Sequence, residues 1–177
     1  MEVIETGQDR KIAALRSNFH VHFFIGGNMD KKYLDIAFDE AEKSYNINEV
    51  PVGAVIVKDN QIISMAHNLK ESNMCSIYHA EMIAIKEAAK KLHNWRLYDC
   101  DIYVTLDPCP MCASAIKQSR IKNVYSANNN SDFDNIEIIE KIFAADKNNP
   151  SINFVSNLDV YKSTSLLQKF FNKQRKK

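Results

Sequence analysis

The stretch YHAEMIAIKEAAKKL, residues 78–92, is the segment from which the fold of this chain can be worked out. Its apolar residues recur at the spacing of a buried amphipathic helix. His79 and Glu81 stand at the start of that helix, two residues apart, and therefore point to nearly opposite sides. They can serve one site only if that site lies beyond the end of the helix.

A second stretch, DIYVTLDPCPMCASAIKQS at 101–119, joins a predicted strand to a predicted helix. Pro108 suits a helix start, because its missing N–H costs nothing there. Cys109 and Cys112 are three residues apart and would share one face of the first turn. The partial positive charge at a helix N-terminus lowers thiol pKa values and favours the thiolates that bind metals.

The two motifs predict one metal site if their helices lie side by side with aligned N-termini. His79, Cys109 and Cys112 then converge on a tetrahedral zinc ion. Three protein ligands leave the fourth position for water, which is the pattern of catalytic zinc sites. Glu81 is then the neighbour that moves protons.

Other uses of these residues stay open at this point. A Cys-x-x-Cys pair also serves redox chemistry, although that interpretation leaves His79 and Glu81 without a role. A structural zinc site needs a fourth ligand, and Cys75, four residues before His79, is the first to consider. The full set of candidates for that ligand is Cys75, Cys100, His67 and His93.

The segments outside the motifs predict the rest of the fold. A helix begins at Asp30 as N-cap, and Asp59-Asn60 is the turn of a β-hairpin. Strands that alternate with helices after a hairpin predict an α/β protein, here a three-layer α/β/α sandwich with a five-stranded mixed sheet and helices on both faces. The predicted ranges are helices at 30–46, 137–145 and 160–171, strands at 52–58, 61–66, 101–106, 121–127 and 152–157, and a polar connection at 128–135.

Composition sets the broad class. The chain has 177 residues, 45% of them hydrophobic, which suits one domain. Its net charge of +1 does not indicate a general nucleic-acid binder. We expect residues 1–28 to be a poorly ordered extension and residues 29–177 to be the domain. Without an apolar run of roughly 18 residues, no transmembrane helix is expected. Two of the four cysteines have metal or redox spacing rather than the pattern of a secreted disulfide framework, which favours a reducing, cytoplasmic location.

The end of the chain is basic. From Lys162 to Lys177 there are five lysines and one arginine and no acidic residue. A terminal segment of this kind is usually a solvated face, but it also suits contact with a polyanion. We expect Phe170 and Phe171 to anchor this helix while its charges face outward.

The sequence resembles the zinc-dependent nucleobase deaminases, which carry an H-x-E and a P-C-x-x-C motif. Beyond these motifs, it is similar to the bacterial tRNA-specific adenosine deaminases from about Asp30 to Lys177. The similar stretches are EVPVGAVIV (49–57), HN (67–68), HAE (79–81), NWRLYD (94–99), YVTLDPCPMCASAI (103–116), SRI (119–121) and the basic closing helix.

The resemblance implies a role for each matching residue. It implies His79, Cys109 and Cys112 as zinc ligands and Glu81 as the proton shuttle. It further implies that Asn68 contacts the target base and that Val52 lines the pocket. The implied substrate is the adenosine at the wobble position of a tRNA anticodon, which becomes inosine, and the implied assembly is a homodimer.

Two alternatives remain beside this interpretation. One is a deaminase of a free base or nucleoside, such as guanine or cytosine. The other is a structural-zinc, RNA-binding module without turnover, which does not require Glu81. The chain also departs from the family pattern in two places that help to shape the pocket and grip RNA. Cys75-Ser76-Ile77-Tyr78 replaces Asp-Pro-Thr-Ala, and Ala127-Asn128-Asn129-Asn130 replaces Gly-Ala-Arg-Asp.

Overall fold

The computed structural model describes residues 29–128 and 136–176, in which the chain forms five helices and five strands. The predictions for residues 1–28 and for most of the connection at 128–135 lie outside the described residues. The helices are α1 (Lys31–Asn46), α2 (Ala80–Lys91), α3 (Pro110–Gln118), α4 (Ile136–Phe143) and α5 (Val160–Gln174). The strands are β1 (Gly53–Lys58), β2 (Gln61–His67), β3 (Cys100–Val104), β4 (Asn123–Ser126) and β5 (Asn153–Val155).

The first helix and the hairpin form as predicted. Asp30 is the N-cap of α1, and its Oδ1 accepts a hydrogen bond from the Lys32 amide at 3.1 Å. Asp59 and Asn60 form the two-residue turn between β1 and β2, with φ values of 49° and 60°. Positive φ at both central residues is what a type I′ hairpin turn requires, and Asp and Asn tolerate it better than most residues.

The five strands form one mixed sheet in the order β2-β1-β3-β4-β5. β1 pairs antiparallel with both β2 and β3, whereas β3, β4 and β5 are parallel to one another. It follows that β2, β3, β4 and β5 all run in the same direction. Their carboxyl ends lie at one edge of the sheet, and the chain leaves that edge to begin α2 and α3.

Helices cover both faces of the sheet, and each face has its own hydrophobic core. On one face, α1 packs Tyr33, Leu34 and Phe38 against Tyr103 and Tyr125 of the sheet. On the other face, α2, α3 and α4 contribute Ala84, Ala88, Ala113, Ile116, Ile139 and Phe143. The predicted three-layer α/β/α sandwich is confirmed. In the described ranges, the structure has no helix long and apolar enough to cross a membrane.

Two strands, β3 and β5, end earlier than the sequence pattern predicts. β3 ends at Val104 rather than at 106, because the chain turns away and the Asp107 amide donates to the Asn128 carbonyl at 2.8 Å. β5 comprises only Asn153–Val155 of the predicted 152–157. Beyond the last ladder pair of β3 the apolar residue Leu106 still fits a strand pattern, whereas β5 ends where the polar residues Ser156 and Asn157 follow Val155.

A buried lysine closes the turn that follows α4. Lys117 lies on α3 with 5% of its surface exposed. Its Nζ donates to the carbonyls of Phe143 at 3.5 Å and Pro150 at 3.0 Å, and also to that of Ala144. The Phe143 and Ala144 carbonyls lie where α4 ends and have no partner within the helix, so the ammonium group supplies the donor that they lack.

Gly53 sets the distance between α1 and the sheet, which yields the first prediction. A Cβ at this position would lie 1.9 Å from the Ala37 carbonyl oxygen and 2.7 Å from the Ala41 amide nitrogen. Both atoms belong to the backbone of α1, so the helix must shift. We expect Gly53→Ala to lower the free energy of unfolding by about 1–3 kcal/mol, measured by urea denaturation.

The control for this measurement is Gln61→Ala, at an exposed position of the neighbouring strand. We expect the control to change the free energy of unfolding by less than about 0.5 kcal/mol. Equal stability of Gly53→Ala and wild type would show that α1 does not rely on this close approach.

Candidate metal centre

Three side chains from two helices converge at the sheet edge where α2 and α3 begin. The Nδ1 atom of His79 lies 3.9 Å from Sγ of Cys109 and 3.6 Å from Sγ of Cys112. All three donor atoms lie within 4.8 Å of one another. The arrangement anticipated from the two sequence motifs is therefore present in the structure.

The starts of the two helices direct these side chains away from the helices themselves. His79 is the N-cap of α2 and Cys109 is the N-cap of α3, both with extended backbone. Neither side chain makes a capping hydrogen bond, which leaves both available to a metal. Because His79 precedes the first helical residue, it is not bound by the helical spacing that separates it from Glu81.

One detail of the predicted helix start is wrong. Pro110, not Pro108, is the first helical residue of α3, and Cys109 stands before it as the N-cap. The physical reason is the same, since a proline at the first helical position loses no intrahelical hydrogen bond. The change moves Cys109 out of the helix and leaves Cys112 in the first turn.

The donor set and its spacing fit zinc. Tetrahedral coordination with Zn–S bonds of about 2.3 Å and Zn–N bonds of about 2.0–2.1 Å requires N···S separations of roughly 3.5 Å. The two measured N···S separations, 3.9 and 3.6 Å, lie close to that value. A single ion can therefore be held by all three residues without a large movement of either helix.

The electrostatics of the cluster favour a thiolate. The interaction with Cys112, followed by that with His79, lowers the pKa of Cys109 to about 4. The pKa of Cys112 is raised, first by the adjacent Cys109 sulfur and then by burial. The interaction with Cys109 raises the pKa of His79. A divalent cation bound by all three competes with these protons and favours both thiolates.

Glu81 lies in the first turn of α2 with only 4% of its surface exposed. Burial raises the pKa of its carboxyl, and the negative charge of Cys109 raises it further. A carboxyl group in this setting can hold and release a proton closer to neutral pH than an exposed glutamate can. The structure thus places a buried acid beside the three metal donors.

The structure places Asn68 and Val52 beside the start of α2. Asn68 is 8% exposed, and its Oδ1 accepts a hydrogen bond of 2.8 Å from the Ala80 amide. This bond supplies the cap that His79 does not provide. Val52 is 6% exposed, and its carbonyl accepts from the Asn68 amide at 3.2 Å. The contacts of both residues with a base stay predictions.

The candidates for a fourth protein ligand do not join the cluster, which in the described ranges consists of the three residues named above. Cys100 is buried in the core, and burial raises its pKa to about 11. His67 Nδ1 pairs with Glu40 Oε2 at 2.9 Å. Cys75 lies half-buried in the loop before His79. Three protein donors are the pattern of a catalytic rather than a closed zinc site.

Asp107 is a residue near the site that the sequence reasoning missed. It stands two residues before Cys109, is 6% exposed, and its Oδ1 accepts from the Ser156 hydroxyl at 2.6 Å. Burial raises the pKa of its carboxyl. The available signal was an acidic residue in the short turn between a buried strand and a metal-binding helix.

Comparison with known proteins identifies the family. Residues 28–128 match the cytidine and deoxycytidylate deaminase zinc-binding region. The chain is 37% identical over 145 residues to a tRNA-specific adenosine deaminase of Streptococcus pyogenes, covering 82% of this chain and 85% of the relative. It is 50% identical over 95 residues to the tRNA-specific adenosine deaminase of Bacillus subtilis, covering 54% of this chain and 59% of that relative's length.

A solved structure supports the same relationship. It comes from a study of A-to-I editing by tRNA:A34 deaminases at the wobble position of transfer RNA. It superposes with a TM-score of 0.72 at 30% identity, over 78% of this chain and 100% of the other. The resemblance inferred from the motifs is confirmed. The chain carries a zinc-binding deaminase domain and belongs to the cytidine and deoxycytidylate deaminase family, in the group of the tRNA-specific adenosine deaminases.

Proposed function

We propose that this protein is a zinc-dependent hydrolase that converts adenosine to inosine at the wobble position of a tRNA anticodon. The observation that carries the proposal is the three-donor cluster with the buried acid Glu81 beside it. The choice of tRNA as substrate is supported by the names of the relatives. We further propose that the enzyme acts in the cytoplasm as a homodimer, as the resemblance implies.

The residues divide the chemistry between them. His79, Cys109 and Cys112 would hold the zinc ion, which would act as a Lewis acid and make water nucleophilic near neutral pH. Glu81 takes a proton from the water whose oxygen attacks C6 of adenine. The same carboxyl passes that proton to N1 of the ring. It then takes the second proton from the new C6 hydroxyl and passes it to the amino group, which leaves as ammonia while C6 becomes a carbonyl.

Little unpairing energy is needed to bring an anticodon base into the active site. A nucleotide of an anticodon loop is already unpaired, so that moving it into a pocket costs less than extracting it from a duplex. Asn68 and Val52 border the start of α2, where the target base has to approach Glu81. The Asn68–Ala80 bond fixes the orientation of the amide that we expect to contact the base.

The last helix supports an RNA substrate over a free base. Phe170 is buried and anchors α5, but Phe171 is 43% exposed, so only one of the two phenylalanines acts as predicted. Lys173 lies over the Tyr45 ring at 4.8 Å rather than facing outward. Lys169, Arg175 and Lys176 are exposed. These three cations form a basic surface that suits a phosphate backbone.

The first prediction of this proposal concerns the metal. We expect one zinc ion per chain in protein purified without chelators, measured by elemental analysis. Cys112→Ala should lose most of the zinc, because two protein donors bind the ion far more weakly than three. Cys75→Ala is the matched control and should retain it. A double variant Cys109→Ala, Cys112→Ala with a full complement of zinc would contradict the site.

The second prediction concerns the proton shuttle. Glu81→Gln preserves the shape of the side chain but cannot accept and return protons, and we expect turnover on tRNA to fall by about 10²–10⁴-fold. Zinc content should match wild type. Glu87→Gln on the same helix is the control. More than about a tenth of the wild-type rate in Glu81→Gln would assign the proton transfers to another group.

The third prediction separates tRNA from small-molecule substrates. Replacing Lys169, Arg175 and Lys176 by Ala should weaken tRNA binding and reduce the slope of log affinity against log salt by about 2, at roughly 0.7–0.9 per phosphate contact. Lys86, Lys90 and Lys122, which are exposed elsewhere, provide a control with the same charge loss.

The same preparations should be offered tRNA, free adenosine, guanine and cytosine. We expect inosine in the tRNA and little reaction with the free compounds. An unchanged salt slope together with rapid deamination of a free base would contradict the tRNA assignment and leave the deaminase activity in place.

A further inference from the structure

The loop at residues 69–78 joins two residues of the proposed active site. It begins directly after Asn68 and ends directly before His79. Its base is closed by a hydrogen bond of 3.1 Å from the Leu69 amide to the Tyr78 carbonyl. The position of this loop therefore affects both a base contact and a metal donor.

Apolar packing does not hold this loop in place. None of the ten residues from 69 to 78 is buried, and seven of them are exposed. Met74, near the tip, is 94% exposed. Burial of apolar side chains is the usual means by which a segment is held to a domain. The loop at 69–78 has to be fixed by other contacts.

The contact that fixes it is a buried carboxylate from outside the loop. Glu49 is 1% exposed. Its Oε2 accepts from the Glu71 amide at 3.1 Å, and its Oε1 accepts from the Ser72 amide at 2.6 Å. Both bonds join the loop at 69–78 to a residue outside it, and the side chain of Ser72 and the amide of Lys70 also interact favourably with the same carboxylate.

Glu49 acts as an N-terminal cap for a helical turn that lies far from it in the sequence. The Asn73 amide donates to the Leu69 carbonyl at 3.0 Å, so the loop opens with one helical turn. The amides of Glu71 and Ser72 lie at the start of that turn, where a negative charge is favourable. Burial acts to raise the pKa of Glu49, but the bonds from Ser72 and Glu71 outweigh it, and its pKa lies below the ordinary value.

Glu49 is itself anchored beside the pocket. Its amide donates to the Ser44 carbonyl at 2.9 Å, at the end of α1. The Ser44 hydroxyl lies 3.2 Å from the Asn68 carbonyl and 3.4 Å from the Val52 carbonyl, which both accept from it. The segment from Ser44 to Glu49 thus contacts Val52 and Asn68 and, through the Glu49 side chain, the loop that leads to His79.

We propose that Glu49 is a positioning residue for the deamination reaction: its carboxylate holds the 69–78 loop against the domain and so places Asn68 relative to the metal centre. This inference rests on the function proposed above. Glu49 touches neither the base nor the metal. It acts through the backbone of the loop, whose exposed outer side then presents a fixed surface to the RNA.

Two variants test the proposal. Glu49→Gln keeps one acceptor but sets an NH2 group against a backbone amide. Glu49→Ala removes both acceptors and leaves a cavity the size of a small carboxylate. Glu71→Gln is the matched control, because it removes an exposed carboxylate from the same loop while the backbone bonds to Glu49 remain.

The first readout is hydrogen exchange at the Glu71 and Ser72 amides, which does not depend on activity. We expect exchange in Glu49→Gln and Glu49→Ala to be faster by about tenfold or more, since each loses a charge-assisted bond. Wild type and Glu71→Gln should exchange alike. Unchanged exchange in Glu49→Ala would overturn the proposal, whether or not the protein deaminates tRNA.

The second readout is steady-state kinetics with tRNA. We expect both Glu49 variants to retain zinc and to raise KM by about tenfold, while kcat falls by less than about threefold. A purely structural role would instead lower Tm and leave KM of the folded fraction unchanged, which would overturn the proposal. Added formate should restore KM of Glu49→Ala by filling the cavity, and should leave wild type and Glu71→Gln as they were.

The two claims can fail separately. Absence of inosine in tRNA treated with the zinc-loaded wild type would refute the proposed function. The exchange measurement would then still decide whether Glu49 holds the loop.

Discussion

The chemistry of this protein depends on two helices that begin at the same edge of one sheet. β2 and β3 both run antiparallel to the strand between them, so the chain emerges from each at the same side. α2 and α3 then start next to each other, and their first residues supply His79 and Cys109. A reversal of either strand would move one donor to the far end of the sheet, and the cluster could not form.

Hydrogen bonds add to the apolar packing of the helices and fix the loops that surround this centre. Asn68 caps α2 through its side chain, and Glu49 caps the loop that precedes it. On the other side of the site, the Ser163 hydroxyl of α5 donates to the Thr105 carbonyl at 2.7 Å, four residues before Cys109. The basic helix is therefore attached to the segment that joins β3 to the metal-binding helix α3.

The sequence predicts the elements that local patterns determine. The Asp30 cap, the Asp59-Asn60 turn and the three metal donors each follow from a short motif with its own physical cause. The sequence does not reveal in the same way which polar side chains form hydrogen bonds with groups far along the chain. The sequence alone predicts that the charged residues Glu49 and Lys117 lie on the surface. Both are buried, because each bonds to backbone groups far along the chain.

The same limit explains the errors in detail. Phe171 was expected to anchor α5, but successive side chains of a helix point in different directions, and of the two phenylalanines Phe170 is buried and Phe171 is exposed. Lys173 was expected to face solvent, but the Tyr45 ring of α1 lies within its reach. Neither contact has a local signal, since both depend on how α5 lies across α1. The residues at which β3 and β5 end depend in the same way on contacts with neighbouring parts of the fold.

The absence of a capping bond from His79 and Cys109 has a consequence for how the protein acquires its metal. In a small zinc finger, the ion brings together ligands that no other force assembles, and most of its binding energy is used for folding. Here two hydrophobic cores and the Asn68 cap already hold both helix starts at a zinc-like spacing. The ion therefore does not have to assemble its ligands, and little of the affinity of the three donors is used for folding.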